Sequence, residues 1–141
     1  MSEKDQLEAR VRNIEAVHDI INLETDYCFA VDILDGDAFA ATFVTDGVLE
    51  IEAMGRSVGR DAIRSMCVDQ FSKGFSSAMH FLHNPRIVVD GDTATGKYYW
   101  HASLTSPDSG AVKSASGKYD CKYVKTDEGW KIMEKKVKFV Y

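Results

Sequence analysis

Apolar residues recur at three- and four-residue steps from the start of the chain: Leu7, Val11, Ile14, Val17 and Ile21, then Tyr27, Cys28 and Val31, with charges between them. That spacing lays them along one stripe and predicts a helix over residues 5–34. Asp35-Gly36-Asp37 stops this helix and caps a second, over 38–43, which the turn residues Thr45-Asp46-Gly47 close. Alternation at 48–54 predicts a strand, 55–59 turns the chain, and a third helix occupies 60–73. Beyond Gly74 the period falls to two. Strands are expected over 76–89, 93–104, 111–124 and 130–141, with turns at Asp90-Gly91-Asp92, 106–110 and 126–129. Pro85 predicts a bulge or bend in the first of these. In the last strand Trp130 and Ile132 share one phase while Val137, Phe139 and Tyr141 share the other, a break that again requires a bulge or bend.

The order is therefore three helices with a hairpin inserted, then four long antiparallel strands. Helices segregated to one side of an antiparallel sheet define an α+β fold. Strands of this length twist, and bulges curve them, so the expected architecture is an open, cone-shaped barrel around the helices with a cavity inside. No linker or repeat divides the chain, and residues 1–141 are read as one domain.

The balance of 45% apolar and 28% charged residues is that of an ordinary globule. A net charge of −5 gives no attraction to phosphate backbones. Lys131, Lys135, Lys136 and Lys138 alternate with apolar residues and read as the solvated side of a strand, so no nucleic-acid partner is expected. Cys28, Cys67 and Cys121 lie far apart without a CxxC pair, which suggests neither a zinc site nor a disulfide framework. The polar N-terminus and the lack of a long apolar run point to a soluble, cytoplasmic protein without membrane contact. No cofactor motif is present, so no cofactor or metal is expected.

Two residues stand out chemically. Asp32 ends the long helix inside the run Cys28-Phe29-Ala30-Val31-Asp32-Ile33-Leu34, where apolar neighbours and the negative end of the helix dipole both disfavour its charge. Either a partner faces it or the helix has frayed and the carboxylate is solvated. His80 lies on an apolar strand, in phase with Ala78 and Leu82 and opposite in facing to His83. Alone it reads most simply as a core histidine; with a carboxylate on its far nitrogen it becomes a base suited to neutral pH. Tyr27, about 140° around an ideal helix from Asp32, reaches the same cavity if the helix crosses the cavity mouth, and it serves equally well as core packing. Tyr98, Trp100, Leu82, Ala102 and Tyr119 are candidates for the substrate-binding wall, with packing again the alternative.

The chain resembles the SnoaL-like group of the nuclear transport factor 2-like superfamily over nearly its whole length. The resemblance rests on Tyr27-Cys28-Phe29-Ala30-Val31-Asp32 with Asp35-Gly36-Asp37, on Gly59-Arg60-Asp61-Ala62-Ile63, and on His80-Phe81-Leu82-His83-Asn84-Pro85-Arg86-Ile87. It continues through Asp90-Gly91-Asp92-Thr93-Ala94, Gly117-Lys118-Tyr119 and Asp127-Glu128-Gly129-Trp130-Lys131-Ile132. The enzymatic relatives it resembles are bile acid 7α-dehydratase, scytalone dehydratase and hexachlorocyclohexane dehydrochlorinase, all cofactor-free lyases. The resemblance implies an Asp–His dyad on Asp32 and His80, joined by a tyrosine at Tyr27, and an assembly of two or three identical subunits. One departure stands out: the bile acid enzyme carries a further acidic residue where this chain has Ala102.

The leading expectation is thus a cofactor-independent dehydratase or isomerase acting on an apolar, ring-containing molecule of steroid, polyketide or aromatic type. The alternatives are a non-catalytic carrier of a hydrophobic metabolite, or an assembly subunit resembling the small subunit of aromatic-ring hydroxylases.

Overall fold

Ser2 caps the first helix of the computed structural model, which describes residues 1–140. Its hydroxyl accepts from the Asp5 amide while the Asp5 carboxylate accepts from the Ser2 amide, a reciprocal capping box. This helix, α1 (Glu3–Asp32), turns Ile20, Leu23, Glu24, Tyr27, Cys28 and Val31 into the core. Its first third does not join them: Leu7, Val11 and Ile14, expected on the core stripe, are exposed. Leu34 takes a left-handed conformation (φ 57°) where the helix stops. Asp35 caps α2 (Gly36–Ala41) by accepting from the Ala38 amide.

The expected turn at Thr45-Asp46-Gly47 lies instead within a strand, β1 (Phe43–Ile51). Its turn chemistry is absorbed as a bulge. Between Phe43 and Val48 the chain advances five residues while its neighbour advances two, from Ile132 to Glu134. The reversal comes later, beyond Ile51, where Ala53 is left-handed (φ 68°), and β2 (Gly55–Val58) pairs back on β1 where only a turn was expected. The third helix, α3 (Arg60–Ser65), runs on through a π-helical segment, Met66–Phe71, and a final turn, Ser72–Gly74.

Four long strands follow: β3 (Ser77–Asp90), β4 (Thr93–Thr105), β5 (Val112–Thr126) and β6 (Gly129–Phe139). The sheet order is β2-β1-β6-β5-β4-β3, six strands with two free edges, so it curves without closing. It is mixed rather than purely antiparallel, because β1 runs parallel to β6. The bend expected at Pro85 is present as a register shift between His83 and Arg86, with Asn84 at φ 51°. The phase break in β6 is also present, for Lys122 pairs with Glu134 and Tyr123 with Ile132, leaving Met133 as the extra residue. Tyr141, read as the end of that phase, lies outside the described residues.

That bulge corrects one reading of the sequence. Lys135, taken as solvated, is fully buried. Beyond Met133 the inward set becomes Lys135 and Val137, while Lys136 and Lys138 remain exposed. The core lies between this inner face of the sheet and α1–α3.

Candidate active site

The end of α1 and the start of β3 meet at Asp32 and His80. The carboxylate accepts from the His80 backbone amide at 3.0 and 3.2 Å through its two oxygens. Asp32 Oδ1 also lies 2.6 Å from His80 Nδ1. The two side chains retain only 15% and 11% of their surface exposed, so Asp32 is not the solvated end of a frayed helix. An acceptor on Nδ1 places the ring hydrogen there and leaves Nε2 with its lone pair. The backbone contact matters equally: it fixes the carboxylate relative to the strand carrying the imidazole. His83 faces away from this pair, as strand alternation requires, and is exposed.

His80 borders a hollow of about 200 Å³ whose wall includes Tyr27, Val31, Phe75, Trp100, Tyr119 and Val137. The wall is aromatic and interlocked. Trp100 stacks on Tyr119 at 5.7 Å and lies 6.0 Å from the His80 ring, while Tyr27 meets Tyr119 edge-on at 5.9 Å. Gly117 makes the Trp100 position available, since a Cβ there would fall 1.8 Å from the Lys138 carbonyl oxygen and 2.8 Å from Trp100 Nε1. The indole instead donates to that carbonyl at 3.2 Å.

Of the five wall candidates, Trp100 and Tyr119 line this hollow, together with Tyr27 and His80. Leu82 and Tyr98 do not; they border a second hollow beside α1, with Cys28, Phe29 and Pro85, which His80 also touches. Ala102 pairs with His80 across β3–β4 and is fully buried, so it contributes backbone beneath the histidine rather than a wall. All three lie on the inner face of the sheet, which serves both cavity and helix packing.

Sequence reasoning missed a second polar centre. Glu24 and Lys135 are both fully buried and joined through Oε2 and Nζ at 2.5 Å. The Tyr123 hydroxyl donates to the other Glu24 oxygen at 2.6 Å and stands 3.1 Å from the Tyr98 hydroxyl. The signals were in the sequence. Glu24 shares the helical stripe of Ile20, Leu23, Tyr27 and Cys28, and Lys135 shares the phase of Val137. Burial, then the Glu24 charge, pushes the Tyr27 phenol well above its ordinary range. Burial foremost does the same for Tyr119. Both stay neutral donors at any working pH.

The three thiols are free and buried. Burial pushes Cys28 up to about 12 and Cys67 up to about 11. Groups held protonated in the folded chain but ionising near ~8.5 when unfolded add stability that is intact below that value. It is lost as pH rises through the folded values. The unfolding temperature is therefore expected to fall steadily from pH 8.5 to 11, with no iodoacetamide labelling of the native chain at pH 8. A flat profile with ready labelling would contradict the burial of these thiols. Among the described residues no group of three His, Cys, Asp or Glu side chains is placed to hold a metal ion, and no helix is long and apolar enough to cross a membrane.

The SnoaL-like domain matches residues 12–136 of the chain. An uncharacterized protein of Mycobacterium tuberculosis is 28% identical over 118 residues, which cover 83% of this chain and 80% of that protein. Among solved structures, an NTF2-like protein with a cystatin-like fold from Novosphingobium aromaticivorans superposes with a TM-score of 0.85 at 25% identity, covering 99% of this chain and 92% of that one. The LinA-type3 hexachlorocyclohexane dehydrochlorinase of Novosphingobium barchaimii has the same fold, with a TM-score of 0.79 at 19% identity and coverage of 99% and 92%.

Proposed function

We propose that this chain, which belongs to the SnoaL-like domain family and has the nuclear transport factor 2-like fold, is a cofactor-independent lyase or isomerase acting on a small, ring-containing carbonyl compound. The observation that carries the reading is the contact of Asp32 with His80, 2.6 Å long, at the edge of an apolar hollow lined by tyrosines. His80 Nε2 takes a proton from the carbon next to the carbonyl. The C–H electron pair moves into a new C=C bond, and charge collects on the substrate oxygen. Asp32 holds the Nδ1 hydrogen and steadies the imidazolium that forms. Tyr27 donates a hydrogen bond to that oxygen. The histidine then returns its proton, either to a departing β-hydroxyl, which leaves as water, or to another carbon, which shifts the double bond.

The hollow also limits the substrate. Ligand pockets commonly measure roughly 300–1,000 Å³, and about 200 Å³ is room for one or two rings rather than a steroid skeleton. The second hollow bordered by His80 is about 320 Å³ but lies beside α1 and includes neither Tyr27 nor Trp100. The test is exchange of the α-hydrogen in D2O on a panel of one- and two-ring ketones and β-hydroxyketones, followed by NMR. Deuterium should enter with the native chain and not with His80→Ala. Equal incorporation by both would remove the general-base reading.

A further inference from the structure

Four tyrosines surround the buried Glu24–Lys135 pair, and they divide by what they offer it. On the carboxylate side the hydroxyls are used, Tyr123 donating to Glu24 Oε1 and Tyr98 standing against Tyr123. On the ammonium side the ring faces are used instead. Lys135 Nζ lies 3.2 Å from the ring centre of Tyr27 and 4.1 Å from that of Tyr119. An ammonium over a ring face holds the ring by its quadrupole and leaves the phenol edge unengaged. Neither the Tyr27 nor the Tyr119 hydroxyl has a hydrogen-bond partner among the described residues. Both residues line the hollow beside His80, which leaves their uncommitted hydroxyls as its candidate donors.

We propose that Lys135 is a positioning residue. Held by Glu24, it clamps Tyr27 and Tyr119 so that their two hydroxyls together form a binding site for the oxygen of an otherwise apolar ligand, a carbonyl or phenolic oxygen. Glu24 supplies the counter-charge and Tyr123 occupies its remaining oxygen, so the carboxylate does not compete for the two phenols. The ammonium spends its donors on Glu24 and two π faces, so it selects the orientation of the rings without touching the ligand. The proposal deepens the reading of the hollow as a substrate site and rests on it. Its test is binding without turnover, so loss of catalysis in a His80 variant leaves it unaffected.

The experiment compares calorimetric binding of 1-indanone with that of indane, which has the same rings and no oxygen. The native chain should prefer 1-indanone by about tenfold or more, two neutral hydrogen bonds each giving roughly a three- to tenfold gain. Tyr27→Phe and Tyr119→Phe keep both rings over Lys135 and should each reduce the preference about threefold or more, with indane binding unchanged. The double variant Glu24→Gln/Lys135→Met removes both charges at similar volume. It should fold, bind indane within twofold of the native chain and lose the preference. A folded double variant with native preference would overturn the proposal, as would native preference in both Phe variants or none in the native chain. A double variant that does not fold would overturn it too, because the pair would then be a requirement of the fold.

Discussion

Asparagine at position 32 is expected to lower kcat by roughly 10²–10⁴-fold with little change in KM for a neutral ketone. The size follows from what the carboxylate does. It accepts from the His80 amide through both oxygens and lies 2.6 Å from Nδ1. An amide retains one acceptor, and its NH2 must face either the backbone N–H or the ring. If the amide oxygen stays on the backbone, the NH2 donates to Nδ1 and forces the ring hydrogen onto Nε2, the atom that accepts the substrate proton in the proposed reaction. Even with the correct tautomer, no negative charge balances the imidazolium. Asp32 does not line the hollow, so ground-state binding is spared. Steady-state kinetics on a substrate found by the exchange screen, with a thermal melt to show the fold intact, measures this. A kcat within threefold of the native value would mean that Asp32 is only a structural tie between α1 and β3.

Methionine alone at position 135 is expected to cost about 3–5 kcal/mol of stability, because it strands the Glu24 charge in a site with no access to water. At roughly 2–4 °C per kcal/mol for a chain near this size, the unfolding temperature should fall by about 6–20 °C. Adding Glu24→Gln should restore most of the loss, since removing both members of a buried pair is often close to neutral. The coupling read from this cycle is then several kcal/mol and of a sign that independent sites do not give. Chemical denaturation of the four chains supplies it. Additive losses would show that the ammonium and carboxylate are each stabilised by other groups.

The architecture was legible in the sequence where periodicity is long and unbroken. The 3.6 spacing of Ile20 to Val31 and the alternation from Thr93 to Thr105 suffice to place α1 and β4. The bend at Pro85 and the break in the last strand were legible for the same reason, since each interrupts a long pattern. Asp32 and His80 were identifiable because each is a polar group set in an apolar run, although which face each turns to needed the tertiary contact. Three things were hidden. Thr45-Asp46-Gly47 has turn chemistry, but pairing with β6 overrides it and converts the turn into a bulge. Leu7, Val11 and Ile14 have helical spacing without burial, because an apolar stripe says nothing about whether the sheet reaches it. Lys135 was grouped with its neighbouring lysines on the solvated side of an alternating strand, and the extra residue at Met133 turns it to the inner face.

His80 stands between two hollows, one lined by Tyr27, Trp100 and Tyr119 and the other by Cys28, Leu82 and Tyr98. The same residue borders both, so a ligand that fills the first hollow does not by itself seal the histidine of the proposed base pair from the second.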